Sequence, residues 1–168
     1  RPQARAATAA LALSLAPAAG VGMADHRLAG AYRALPGRLD DELRRADRVL
    51  YVGHWGFQHY ATEAGWEPYV PGRTALRPGD LLVRPRNVDQ PALTPADLAR
   101  LRLRRTVVLD ATPLALLRTM TSRLGYYSVW HGLPSTPTLE PLDHVELYEV
   151  VGASARQPGQ PSAPMSGT

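Results

Sequence analysis

The run Ala6 to Met23 sets the first limit on what this chain can become: no side chain in it is charged, and Arg1 and Arg5 precede it. Eighteen such residues are close to the lower limit for a helix that crosses a bilayer. Most of them are alanine, and Pro17, Gly20 and Gly22 weaken the second half as a helix former. Two readings compete. In one, the run is the last transmembrane helix of a longer protein, which fits a chain without an initiator methionine. In the other it is a secretory signal, with the apolar stretch Ala6 to Leu15 followed by the small-residue pattern Ala16-Pro17-Ala18. A buried amphipathic helix would need a polar face, and none interrupts the run. Both membrane readings agree on sidedness: the arginines stay cytoplasmic, and the chain beyond Met23 lies outside.

Behind that segment the 168-residue chain is sized for one domain, and 45% hydrophobic content is enough for an ordinary core. The absence of cysteine excludes a disulfide framework, a thiol nucleophile and a cysteine-ligated metal. The net charge of +4 comes entirely from arginine, scattered as Arg27, Arg33, Arg44, Arg73, Arg84, Arg100 and Arg118. Without a basic stripe interleaved with aromatics, no nucleic-acid partner is expected. The dense run Arg100 to Arg105 alternates with leucine and reads as a helix end or strand start with a solvated face.

Local patterns predict a small α/β domain with a mainly parallel (mixed) sheet and helices on its faces. From Ala24, a helix with Asp25 as its N-cap places Leu28, Tyr32, Leu35, Leu39 and Leu43 on one side, with Pro36-Gly37 kinking or splitting it. Arg48 to Gly53 reads as a buried strand, His54-Trp55-Gly56 as a tight turn, and Phe57 to Ala64 as a short helix stopped by Gly65. An extended piece, Glu67 to Val70, leads to the turn Arg77 to Asp80 and the strand Leu81 to Arg84. Thr94-Pro95 starts a helix that is expected to reach about Leu101, with Asp97 in its first turn. Arg105 to Leu109 reads as a strand ending at Asp110, and Leu114 to Met120 as a strand or a helix, with strand the preferred reading. Gly125 to Pro141 reads as a loop, and His144 to Val151 as the final strand. Gly152 to Thr168 has the composition of a disordered tail.

The chemistry-bearing residues gather at expected strand ends. The turn after Gly53 projects His54 and Trp55 at the C-terminal edge of its strand, where open α/β sheets hold ligands. Gln58 comes next in the helix. The glycine spacing Gly53-x-x-Gly56 is neither a dinucleotide nor a P-loop fingerprint. The competing reading is that the glycines permit the turn and Trp55 packs as a buried aromatic, with His54 open between the two roles. Asp110 would orient His54 as a base if their strands were neighbours, but no serine elbow or cysteine nucleophile accompanies them. His54 and His59, five positions apart, stand about 140° apart on a helix and so are not expected to share a metal. The loop Gly125 to Pro134 carries Trp130 and His131, either as a sticky surface for sugar or lipid headgroup or as cover for the sheet end.

Three segments together resemble a known family. Val52-Gly-His-Trp-Gly-Phe-Gln-His-Tyr60 comes first, then Pro78-Gly-Asp-Leu-Leu-Val83. Gly125-Tyr-Tyr-Ser, Trp130-His-Gly-Leu-Pro134 and Pro141-Leu-Asp-His-Val-Glu-Leu-Tyr148 make up the third. In that order they resemble the C-terminal extracytoplasmic domain of bacterial polytopic glycosyltransferases related to the dolichyl-phosphate-mannose–protein mannosyltransferases (family 39). The resemblance covers about Ala24 to Val151, the extracytoplasmic domain at 24–151, and favours the last membrane helix over the signal peptide for the hydrophobic segment 1–23; the tail at 152–168 follows from composition alone. The resemblance also implies that the catalytic acidic residue belongs to a loop between membrane helices outside this chain, so no residue here is carried over as catalytic and no cofactor or metal is expected. The expected partners are the membrane, the transmembrane part of the same protein and a polyprenyl-phosphate sugar headgroup. The alternative is an independent exported ligand-binding protein or hydrolase with a strand-end pocket at His54 and Asp110.

Overall fold

The computed structural model describes residues 2–88, 91–110, 115–121 and 135–152. The apolar run becomes the first half of one continuous helix, α1 (Pro2–Arg38). Nothing between Gly22 and Asp25 breaks the helix, so no N-terminus exists there to cap. Asp25 instead accepts a hydrogen bond from Thr119 Oγ1 at 2.8 Å. Residues 3–18 are exposed all round, and the core-facing stripe begins only with Ala24, Leu28, Tyr32, Leu35 and Leu39. In the exposed half Thr8 and Ser14 return their hydroxyls to the carbonyls of Ala4 and Ala10, each at 3.0 Å, so neither is left without an acceptor. The break expected at Pro36-Gly37 falls at Leu39, before the single turn α2 (Asp40–Leu43).

The remaining elements are β1 (Val49–Tyr51), α3 (Trp55–Glu63), β2 (Glu67–Pro68), β3 (Leu81–Pro85) and α4 (Pro95–Leu98). After them come β4 (Leu101–Leu109), β5 (Leu117–Arg118), β6 (Thr136–Pro137) and β7 (Asp143–Val150). The sheet order is β2-β1-β3-β7-β4. β1 pairs parallel with β2 and β3, whereas β7 runs antiparallel between β3 and β4, which makes a five-stranded mixed sheet. β5 and β6 form a separate antiparallel pair. α3 starts two residues earlier than expected, and Gly65 stops it at φ +79°. α4 is only one turn long, although Thr94 and Asp97 form a reciprocal capping box. The Leu/Arg alternation after it has the two-residue period of a strand, so β4 claims Leu101 to Arg104 as well as the expected Arg105 to Leu109. The strand expected over Leu114 to Met120 reduces to β5. Most of the Gly125–Pro141 loop and the tail from residue 153 lie outside the described residues.

Strand alternation divides the core between two faces. Tyr51, Leu81, Val83, Val107, Leu109, Val145 and Leu147 pack against α1 and against Phe57 and Ala61 of α3. Leu50, Val52, Leu82 and Val150 face the other way, covered by Tyr69, Leu76 and Leu93 from the connections and by Leu101. The buried carboxylate of Asp80 accepts from Arg48 Nη2 at 2.7 Å and from the Arg77 amide at 2.8 Å, which fixes the turn into β3. The arginines of β4 are paired at the surface, Arg102 with Glu149 at 2.5 Å and Arg105 with Glu42 at 2.7 Å.

α1 runs against the direction of β1 and β3. Tyr32 reaches the strands' C-terminal edge, where its hydroxyl meets Asp143. Pro36, Gly37 and Asp40 share a surface depression with Arg48 and Val49 at the strands' N-terminal edge. The exposed apolar half of α1 therefore leaves the domain from the C-terminal edge of the sheet.

Candidate functional site

At that edge lies a cavity of about 580 Å³, lined almost entirely by apolar surface. Its first wall is one side of α1, where Asp25, Leu28, Ala29 and Tyr32 recur at helical steps. The opposite wall is the turn from β1 into α3, with His54, Trp55, Gly56 and Phe57. His59, Val88 and Met120 complete it. Gly53 permits the turn: it sits at φ +137°, and a Cβ there would stand 3.2 Å from the Phe57 ring and 3.3 Å from Val88. The ring of Phe57 is fixed edge-on to Tyr32 and Tyr51, with centroids 5.4 and 5.9 Å away.

Trp55 departs from the sequence expectation. It opens α3 with φ +62°, a left-handed conformation that costs a bulky side chain, and its residue surface is 54% exposed. It is therefore no buried support of the fold; its indole lies at the mouth of the cavity. His54 precedes the helix as an N-cap residue in extended conformation and is also exposed. Because it stands outside the helix, the 140° argument does not apply, and His54 and His59 both reach the rim of the same cavity. Among the described residues, no group of three His, Cys, Asp or Glu side chains is placed to hold a metal ion. Gln58 is exposed on α3 and does not line the cavity.

The expected partnership of His54 with Asp110 is not formed. Both mark the C-terminal edge, but β3 and β7 separate their strands. Three strand spacings are roughly 14 Å, so Asp110, itself exposed, cannot orient the His54 imidazole. The orienting carboxylate expected for His54 is therefore not in place at this edge. Trp130 and His131 lie outside the described residues.

The acidic group that organises this edge is one that the sequence pattern alone does not single out. Asp143, at the start of β7, is fully buried. Its Oδ1 accepts from the amides of Arg86 and Asn87 at 3.0 Å each and of His144 at 2.6 Å, and its Oδ2 accepts from the Tyr32 hydroxyl at 2.7 Å. Burial pushes its pKa above the ordinary aspartate value, against the pull of those bonds. Burial, and then the neighbouring carboxylate, raises the Tyr32 phenol well above its usual value. Asp143 thus ties α1, the end of β3 and β7 together behind the cavity. Its signal was present in Pro141-Leu-Asp-His, an acidic residue at a strand start, but only the fold brings four donors to it.

Beside this cluster, Glu146 is buried and flanked by Arg86 at 2.5 Å and Arg84 at 3.4 Å, with the Tyr148 hydroxyl donating to it at 2.8 Å. The arrangement as a whole offers an apolar recess with an exposed tryptophan and two imidazoles at its mouth. It suits binding of an apolar group, and among the described residues it brings together no paired acid, base and nucleophile. The chain matches no protein-family model, no curated protein and no solved structure.

Proposed function

We propose that this chain is the extracytoplasmic accessory domain of a polyprenyl-phosphate-sugar-dependent membrane glycosyltransferase, attached through its own membrane helix and not catalytic alone. The observation that carries the reading is the course of α1. By length and composition it is apolar enough to cross a membrane, and the same unbroken helix then forms a wall of the domain's core and of its cavity. A helix shared in this way holds the domain rigidly against a membrane, with the strand C-terminal edge turned toward it. The three motif segments that resemble the family 39 transferases give the reaction class. The role of the domain is to cover the transferase's membrane-embedded centre and to help hold the acceptor or carrier headgroup.

The test uses the complete transferase. Deleting residues 24–152 should abolish or strongly reduce sugar transfer from the polyprenyl phosphate while the remaining membrane part still assembles. The purified chain should transfer none. Steady turnover by the chain alone, or full transfer without it, overturns the reading. An exported ligand-binding protein is the second reading, favoured by the cavity. It predicts that a secreting host releases a product beginning near Ala19.

A further inference from the structure

We propose that the C-terminal edge of the sheet is a membrane-contact face, and that the cavity beside α1 takes the apolar chain of one lipid from the bilayer that α1 crosses. This rests on the membrane insertion of α1 in the reading above and adds a ligand to it. Helix geometry sets the depth of the cavity. At about 1.5 Å per residue, Asp25 lies roughly 3 Å, Leu28 roughly 8 Å and Tyr32 roughly 14 Å past Met23, the last residue of the uncharged run. The interfacial layer of a bilayer is about 5–8 Å deep on each side. The cavity therefore begins within that layer.

Exposed apolar side chains surround the same exit. The β5–β6 pair runs beside α1, because a Cβ on Gly20 would lie 3.9 Å from Leu117 and Thr119 bonds Asp25. Leu116, one residue nearer the apolar half, is 45% exposed. Its carbonyl accepts from the Thr138 amide at 2.8 Å, which puts Leu139, 86% exposed, next to it. Trp55 adds a large amphipathic ring on the cavity side, at the cost of a left-handed backbone. Tryptophan favours the boundary between water and hydrocarbon. Large apolar residues clustered on the side where an apolar helix emerges are the surface a bilayer would cover. The cavity volume of about 580 Å³ lies within the range that encloses a small ligand. Its apolar lining selects a hydrocarbon chain over a sugar, and the open mouth at His54 and His59 leaves the headgroup outside.

The full chain, reconstituted in vesicles of phosphatidylcholine and phosphatidylglycerol, tests this with two probes. Phospholipid brominated near the headgroup should quench a tryptophan component that Trp55→Phe removes. Phospholipid carrying a photoreactive group on its acyl chain should label the segments around Leu28 and Phe57. Placing an indole in the cavity with Ala29→Trp should cut that labelling several-fold, because the ring takes up the apolar space between α1 and the turn before Phe57. Gly56→Leu does the same from the other wall, where an added Cβ meets nothing within 4 Å, so one variant stands if the other misfolds. If alkaline carbonate releases the protein from the vesicles, α1 is not inserted and the membrane reading itself fails. If the protein stays inserted but Trp55 is not quenched, or labelling is unchanged in both filled variants, the lipid site is overturned while the accessory-domain reading survives.

Discussion

Replacing Asp143 with alanine should be among the most damaging single changes to this domain. The carboxylate accepts four hydrogen bonds, from the amides of Arg86, Asn87 and His144 and from the Tyr32 hydroxyl, at a site with no solvent exposure. Each buried donor left without a partner costs about 1–3 kcal/mol. Arg86 is exposed and His144 only partly buried, so water can replace some of what is lost. A loss of about 3–5 kcal/mol is expected, the range for removing one partner of a buried charged network. Asp143→Asn is the informative control: its oxygen can keep the three amides, and its amide can donate to the tyrosine oxygen. It should cost less than about 1 kcal/mol, since it also removes a charge that burial disfavours. Urea melts in detergent micelles give both numbers. The pH dependence has a definite sign. With its pKa raised in the folded state, Asp143 contributes stability that is complete below the unfolded value near ~3.9 and is lost as pH rises through the folded value. Wild type should therefore lose stability relative to Asp143→Asn as pH rises through that window. An alanine variant within about 0.5 kcal/mol of wild type, as for an ordinary surface change, or the opposite pH slope, would mean that this carboxylate does not hold the sheet edge together.

Other changes have expected sizes from the same geometry. Trp55→Ala should cost no more than about 1 kcal/mol in a thermal melt, because its ring is half exposed; a loss of about 3–5 kcal/mol would mean a buried role. Gly79→Ala should destabilise by about 1–3 kcal/mol, since the residue sits at φ +91° and a Cβ would stand 2.8 Å from the Asp47 carboxylate. Leu13→Arg, in the middle of the exposed apolar half of α1, should cost about 2.5–3.5 kcal/mol in a membrane-insertion assay.

Much of the architecture is legible in local pattern, and the departures have local causes. The strands at Val49, Leu81, Val107 and Val145 announce themselves as apolar runs bounded by turn residues, and Gly65 and Thr94 mark helix ends through backbone chemistry alone. Asp25 misleads because a cap signal has meaning only where a helix begins, and α1 is already under way there. Asp110 misleads because strand order is set by long-range packing: β7, last in sequence, inserts between β3 and β4 and moves Asp110 away from His54. Trp55 misleads because its composition fits a core, whereas the left-handed start of α3 turns it outward. Asp143 escapes notice for the same reason as the strand order, since its partners lie up to 111 residues away.

Whether α1 spans a membrane and holds the domain outside is open to a direct measurement, because the chain has no native cysteine. Single cysteines at Gln3, before the apolar run, and at exposed Asp110, on the sheet edge, would be probed with a membrane-impermeant maleimide in intact cells producing the complete protein with any cysteine outside this chain replaced by serine. A spanning α1 with the domain outside predicts that Asp110→Cys is labelled at once and Gln3→Cys only after permeabilisation. Labelling of both positions alike, protection of Asp110→Cys, or a mature product from which residue 3 has been cleaved would contradict it.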